Sequence, residues 1–88
     1  MQTDLSIDNK EIVYTEKQGQ YLAFIFYYTK INGTPPAQAD LQRYFLVTPP
    51  TVHQMVLQLE KLKLITRIPN TPRSLTVVPS EEELPRLK

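Results

Sequence analysis

Residues 34–62 read TPPAQADLQRYFLVTPPTVHQMVLQLEKL, and this stretch decides the fold. The corner Thr34-Pro35-Pro36 is extended, because each proline bars the residue before it from helical backbone angles. A short helix is predicted over 37–45, and Leu46-Val47 then make a tight turn. The buried side of the helix over 37–45 is expected to consist of Ala39, Leu41, Tyr44 and Phe45. A short helix followed by a tight turn is the first half of a helix-turn-helix pattern.

A longer helix follows the turn and is predicted over 49–62. Thr48 is a good N-cap, and Pro49 suits the first helical position, where its missing N–H costs no hydrogen bond. Apolar residues spaced four and three apart predict its core face: Val52, Val56 and Leu59. The outer face is polar, so 48–62 is the natural recognition helix of the pair.

The first helix of the chain precedes this stretch. It is predicted to begin at Thr15, where Gln18 completes a capping box, and to end at Asn32-Gly33. Its core stripe is expected to contain Tyr21, Leu22, Ile25 and Tyr28. Phe26 and Tyr27 lie off that stripe, so a second surface of this helix needs a cover.

The hydrophobic period changes from helical to alternating after residue 63. Two strands are predicted over 64–68 and 74–78, joined by a tip at 69–73 that contains two prolines. Three helices followed by a C-terminal hairpin predict a mainly α (α+β) winged helix-turn-helix, with the hairpin as the wing. The chain is expected to consist of an N-terminal arm (1–14), this domain (15–78) and an acidic tail (79–88).

Composition excludes several classes of function. The chain has 88 residues, no cysteine and one histidine, His53, so neither a disulfide nor a histidine or thiolate metal site is expected. No apolar run approaches the roughly 20 residues of a membrane span, and no signal sequence is recognisable. Carboxylates and serines form no catalytic motif. We therefore expect no enzyme activity and no cofactor, and a cytoplasmic, nucleoid-associated location.

The distribution of charge favours an anionic partner. The net charge is only +1, but residues 15–78 carry seven basic against three acidic side chains, and both ends are acidic. A basic centre is the footprint of a protein that binds nucleic acid, although many domains reach this balance by chance.

The same residues resemble a known family. Tyr14 to Gln18, Asn32 to Pro36, Ala39 to Phe45 and Thr48-Pro49 look like the N-terminal DNA-binding domain of LexA-type repressors. The later matches are Leu59, Leu64-Ile65 and Arg73-Ser74-Leu75, so that the resemblance spans about residues 14–78. It implies a repressor that binds double-stranded DNA. The self-cleaving peptidase domain of that family has no counterpart in these 88 residues, so self-cleavage is not expected.

Two departures from the family pattern matter. Lys63 stands where the family has a glycine at the end of the recognition helix, which leaves the exit of this helix open. The positions that contact bases in the family are occupied by different residues: Pro50, Thr51, His53 and Gln54. An operator preference therefore cannot be transferred.

Ten residues are candidates for DNA contact. Gln54 can pair with adenine, His53 can donate to guanine or a phosphate, and the hydroxyls of Thr48 and Thr51 can reach phosphates. The full set is Gln42, Arg43, Thr48, Pro50, Thr51, His53, Gln54, Lys63, Arg67 and Arg73. Gln42 and Arg43 are expected to face outward on the second helix, and the last three make the wing basic.

Two questions stay open on the sequence alone. The first is whether the fold binds DNA or mediates protein assembly, since the outer face of the third helix has few basic residues and displays Leu57. The second is what covers Phe26 and Tyr27. A homodimer through the first helix would cover them, and so would the arm, through Leu5, Ile7 or Ile12.

Overall fold

The computed structural model describes residues 13–88, and its elements follow the predicted order. Three helices come first: α1 (Glu16–Asn32), α2 (Gln38–Phe45) and α3 (Pro49–Lys61). Two antiparallel strands follow, β1 (Ile65–Thr66) and β2 (Thr76–Val77), and then a single 3₁₀ turn (Glu81–Glu83). The predicted winged helix-turn-helix is therefore confirmed.

Local capping sets the bounds of α1. The Thr15 hydroxyl accepts from the Gln18 amide at 3.1 Å, and the Gln18 side chain accepts from the Thr15 amide at 2.9 Å. At the other end Gly33 has a φ of 78°, which favours glycine, and its N–H donates to the Thr29 carbonyl at 2.8 Å. The predicted capping box and glycine stop are both confirmed.

The three helices and the wing enclose one apolar core. The predicted core faces of α1 and α3 are confirmed at six residues, whereas Tyr28 is only half-buried. The core consists of Tyr21, Leu22, Ile25, Leu41, Val52, Val56, Leu59, Leu64, Ile65 and Leu75. Because the apolar side of α3 is buried in this core, its polar side faces outward.

The predicted buried side of α2 was partly wrong. Leu41 is buried and Phe45 is half-buried, stacked on Tyr21 at 4.1 Å between ring centroids. Ala39 is exposed, because two residues along a helix from Leu41 is the opposite side. Tyr44 is 41% exposed and lies against Phe24 at the edge of the core.

α3 ends one residue before the predicted position, through a left-handed residue. Lys63 has a φ of 63°, its N–H donates to the Glu60 carbonyl at 2.9 Å, and the Leu64 N–H donates to the Leu59 carbonyl at 2.9 Å. These two bonds form a Schellman motif, which usually has glycine at the left-handed position. α3 therefore ends in the left-handed motif that usually contains glycine, with lysine at the left-handed position.

The wing has shorter strands than predicted. The two strands form two residue pairs, Ile65 with Val77 and Thr66 with Thr76. Beyond them the Ser74 hydroxyl accepts from the Ile68 amide at 2.9 Å and donates to the Thr71 carbonyl at 2.9 Å. Side-chain bonds thus replace the ladder around a tip in which Pro69 and Pro72 supply no N–H.

The C-terminal segment, residues 79–88, lies along α1. The Tyr14 hydroxyl donates to the Glu83 carbonyl at 2.6 Å, and the Gln20 side chain bonds the Arg86 carbonyl and the Lys88 amide, both at 2.8 Å. The contact at Gly19 is close, since a Cβ there would lie 3.0 Å from Cγ of Pro85. This segment covers the N-terminal half of α1.

Phe26 and Tyr27 are half-buried and pack edge to face at 5.1 Å. The Tyr27 hydroxyl lies 3.4 Å from the Glu81 carboxylate, so the C-terminal segment also reaches this part of α1. The arm residues Leu5, Ile7 and Ile12 lie outside the described residues. Within residues 13–88 no helix is long and apolar enough to cross a membrane.

Candidate nucleic-acid interface

The outer face of α3 presents an exposed polar surface. Pro50, Thr51, His53 and Gln54 are all exposed, while Val52 between them is buried. A shallow groove runs along this face and is lined by Pro50, Thr51, Gln54, Met55 and Gln58. The structure therefore brings together four of the candidate contact residues on one side of one helix.

The N-terminus of α3 has few free amides. Thr48 is the N-cap, and the next two residues are Pro49 and Pro50, which have no N–H. The Val52 amide already donates to the Thr48 carbonyl at 3.2 Å, which leaves Thr51 as the one unbonded amide donor of the first turn among the described residues. Anion binding by backbone amides is accordingly weaker here than at an ordinary helix N-terminus.

Two hydroxyls lie beside this first turn. Thr48 does not bond a backbone amide through its side chain within residues 13–88. Its oxygen instead lies 2.9 Å from the Thr51 hydroxyl oxygen. Both side chains are exposed, so the pair presents at least one O–H to an incoming phosphate.

Gln18 attaches α3 to α1. Its side-chain amide, which is buried, donates to the Gln58 side chain at 3.0 Å while its oxygen caps α1. The residue thus links α3 to the start of α1. The capping pattern of the sequence identifies Gln18 only as a cap and carries no signal of this second contact, because Gln58 is 40 residues away along the chain.

The three basic residues assigned to the wing differ in their surroundings. Lys63 is exposed at the end of α3, whereas Nε of Arg67 donates to the Glu60 carboxylate at 3.1 Å. Arg73 is turned toward the helices, with Nη1 3.2 Å from Asp40 and 3.3 Å from the Tyr28 hydroxyl. The structure therefore does not bring the three into one cluster.

The two candidates on α2 also differ. Arg43 is exposed and forms an ion pair with Asp40. Gln42 is half-buried, and its backbone carbonyl accepts from the Val47 amide at 3.2 Å in the turn between α2 and α3. Of the two, only Arg43 is as exposed as expected.

Asp40 connects these basic groups and was missed by sequence reasoning. It accepts from the Ala37 amide at 2.8 Å, and this bond, followed by the nearby Arg73 and Arg43 guanidinium groups, lowers the pKa of its carboxyl group against the opposing effect of burial. The signal was present, because an acidic residue three positions after the N-cap is the second half of a capping box. Its partner Arg73 was not predictable from that pattern.

Across residues 13–88 no group of three or more histidine, aspartate or glutamate side chains is close enough to hold an ion.

The chain is similar to proteins named LexA repressor. No protein-family model matches the chain. It is 40% identical over 70 residues to the LexA repressor of Thermosipho melanesiensis, which covers 80% of this chain and 35% of the relative. The LexA repressors of Thermosipho africanus (40% over 68 residues, 77% and 34% covered) and Clostridium perfringens (37% over 70 residues, 78% and 34% covered) are similar to the same extent.

The chain spans about a third of the length of these relatives, so the comparison concerns one part of them. The matched part corresponds to nearly four-fifths of this chain. The resemblance expected from the sequence is confirmed: over about four-fifths of its length the chain is a homologue of part of the LexA repressors.

Proposed function

We propose that this protein is a sequence-specific double-stranded DNA-binding protein that acts as a transcriptional repressor. The observation that carries the proposal is the orientation of α3, with Val52, Val56 and Leu59 in the core and its polar face exposed. A helix held in this way can enter a major groove about 12 Å wide. The relatives' name, repressor, supports the same role.

Each candidate residue has a role in this proposal. Gln54 and His53 read base edges, Pro50 contacts the groove wall, and the hydroxyls of Thr48 and Thr51 bond phosphates. The remaining candidates contact the phosphate backbone on either side of α3: Gln42 and Arg43 from α2, and Lys63, Arg67 and Arg73 from the wing. A protein with this role works in the cytoplasm at the nucleoid.

The rival role is a winged helix that mediates protein assembly. Leu57 favours it, because 43% of this apolar residue is exposed on α3. Three arginines that would supply positive charge to DNA are paired with carboxylates of the same chain. DNA binding is nevertheless better supported, since the base-reading positions are polar and exposed and the relatives are repressors.

Retention on duplex DNA at two salt concentrations separates the two roles. The parent protein should bind a random duplex pool at low salt and lose affinity steeply at high salt, because phosphate contacts release counterions. The control is Lys17→Ala, which removes a positive charge from the first turn of α1, outside the candidate interface. It should bind with the same affinity and the same salt dependence as the parent. Absence of binding by the folded parent at low salt would refute the DNA role.

We also propose a weak or DNA-assisted homodimer through α1. Phe26 and Tyr27 remain half-buried, and Ile31, one turn further on, is 80% exposed. A single domain reads few base pairs, and symmetric dimers are the usual means of lengthening the site.

A further inference from the structure

Arg73 connects the tip of the wing to three separate segments of the body. Its Nη1 lies 3.3 Å from the Tyr28 hydroxyl on α1, 3.4 Å from the Pro35 carbonyl in the corner and 3.2 Å from Oδ2 of Asp40 on α2. Tyr28, Pro35 and Asp40 come from different elements, so one guanidinium group fixes the wing relative to both α1 and α2.

Asp40 is the anionic group of this arrangement. Only 10% of its side chain is exposed, and its two oxygens accept from the Ala37 amide, Arg43 and Arg73. Hydrogen bonds between ionised groups are about twice as strong as neutral ones, and those of a shielded carboxylate are the least screened by water. Because 46% of the Arg73 side chain is exposed, water screens this pair in part, and the pair is one of several contacts that attach the tip.

Besides Arg73, the wing is attached on either side of its tip by the ion pair of Arg67 with Glu60 on α3 and by Leu75 in the core. The paired strands contain two residues each, and residues 68–73 are all exposed. The Ser74 bonds stay within the loop, so they shape the tip without attaching it to the helices. Among the described residues, the Arg73 contacts are the hydrogen bonds that join residues 67–75 to α1 and α2.

We propose that Asp40 is a positioning residue, which holds the wing beside the recognition helix through Arg73. This inference rests on the proposed DNA-binding function. Two opposite effects then follow from neutralising Asp40. If only net charge mattered, removal of a negative group near the interface would strengthen binding to a polyanion. If Asp40 positions the wing, binding weakens instead.

The first experiment uses no DNA. Amide hydrogen exchange of residues 67–75 is measured in the free protein for the parent, Asp40→Asn and Arg73→Gln. Both variants should exchange about tenfold faster at the tip than the parent, because a bond to a charged group is lost. The control, Glu16→Gln, makes the same charge change at the exposed ion pair with Lys88 and should leave the tip unchanged.

The double variant tests whether the two residues act as a pair. Asp40→Asn combined with Arg73→Gln should exchange no faster than Arg73→Gln alone, because Arg73→Gln already removes the contact with Asp40. Arg73→Gln leaves the Ala37–Asp40 cap of α2 in place, so it remains informative if Asp40→Asn does not fold. Unchanged tip exchange in Arg73→Gln, or additive effects in the double variant, would overturn the proposal.

The second experiment uses the DNA site selected by the parent. Hydroxyl-radical footprinting of Asp40→Asn should retain the protection due to α3 and lose that on the flank covered by the wing, with affinity lowered about fivefold. Higher affinity with an intact flank footprint would overturn the positioning role. Failure of the parent to bind any duplex would refute the proposed function, while the exchange result would still decide whether Asp40 holds the wing.

Discussion

Leu64 donates its backbone N–H to the carbonyl of Leu59 at 2.9 Å, and this bond closes α3. Both side chains are buried in the core, so the closure is reinforced by the apolar contact that usually accompanies a Schellman motif. The residue enclosed by the turn, Lys63, is left-handed as a consequence. The left-handed conformation of Lys63 is tolerated because Leu59 and Leu64, which the turn joins, are both packed in the core.

Replacement of Lys63 by glycine should stabilise the free protein. The left-handed conformation costs a residue with a Cβ roughly 1 kcal/mol, and glycine removes that cost. We expect the free energy of unfolding in urea to rise by about that amount. Lys63→Ala serves as the control, because it removes the charge and keeps the Cβ, and it should not raise stability.

The same two variants test the proposed phosphate contact of Lys63. Both should weaken binding to all duplexes alike and reduce the slope of log affinity against log salt by about one unit. An unchanged salt slope in both variants would remove Lys63 from the interface. It would leave the stability prediction intact.

Sequence discrimination should depend on the exposed face of α3. Gln54→Ala or His53→Ala should each lose roughly 1–3 kcal/mol of discrimination at one base pair if the residue reads a base directly. Selection from a random duplex pool measures this. Gln58→Ala is the matched control, because Gln58 lines the same groove but is bonded to Gln18. If all three variants select the parental sequence, neither His53 nor Gln54 reads a base.

Stability should fall in acid partly through Asp40. The pKa of its carboxyl group is lowered in the folded state, chiefly by the Ala37 amide and then by the two arginines. It therefore contributes stability above the unfolded value of about 4, and loses it as pH falls through the lower folded value. Urea unfolding between neutral pH and strong acid should show a shallower fall for Asp40→Asn than for the parent.

Glu16 provides the comparison for this pH dependence. Its pKa is also lowered, first by the hydrogen bond from Lys88 and then by the charge of that lysine, but the pair is exposed. High salt should therefore remove the contribution of Glu16 to the pH dependence of stability and leave most of the contribution of Asp40. Parallel pH profiles for the parent and Asp40→Asn in high salt would contradict the prediction.

Gly19→Ala should loosen the contact of the C-terminal segment with α1. An added Cβ would lie 2.7 Å from Cε1 of Tyr14 and 3.0 Å from Cγ of Pro85, so these side chains must shift. We expect faster amide exchange at residues 83–88 while the core remains protected. Gly33→Ala is the control: its Cβ meets open space, so it should lower stability through its positive φ and leave the segment in place.

Phe26→Asp tests the proposed dimer. A carboxylate in place of this half-buried ring should abolish self-association. It should also lower the affinity for a site with two half-sites a helical turn apart, with less effect on a single half-site. Sedimentation of the free protein and of its DNA complex measures the stoichiometry. A strict 1:1 complex of the parent on its selected site, with Phe26→Asp binding equally well, would refute the dimer.

Short-range patterns in the sequence determined the helices and their order. The capping box of Thr15 and Gln18, the stop at Gly33 and the spacing of the apolar residues of α3 all act within a few residues, so they can be recognised without the fold. The same patterns predicted which side of α3 is exposed, and with it the candidate base-reading residues His53 and Gln54.

The tertiary structure alone decided what those elements contact. Asp40 and Arg73 are 33 residues apart, Gln18 and Gln58 are 40 apart, and Gln20 meets the C-terminal segment 66 residues away. No local pattern encodes such pairs, because each partner becomes a neighbour only after the core has brought its element into place. For the same reason Arg73, which reads in the sequence as a free basic group of the wing, is in the folded chain a link between the wing and the helices.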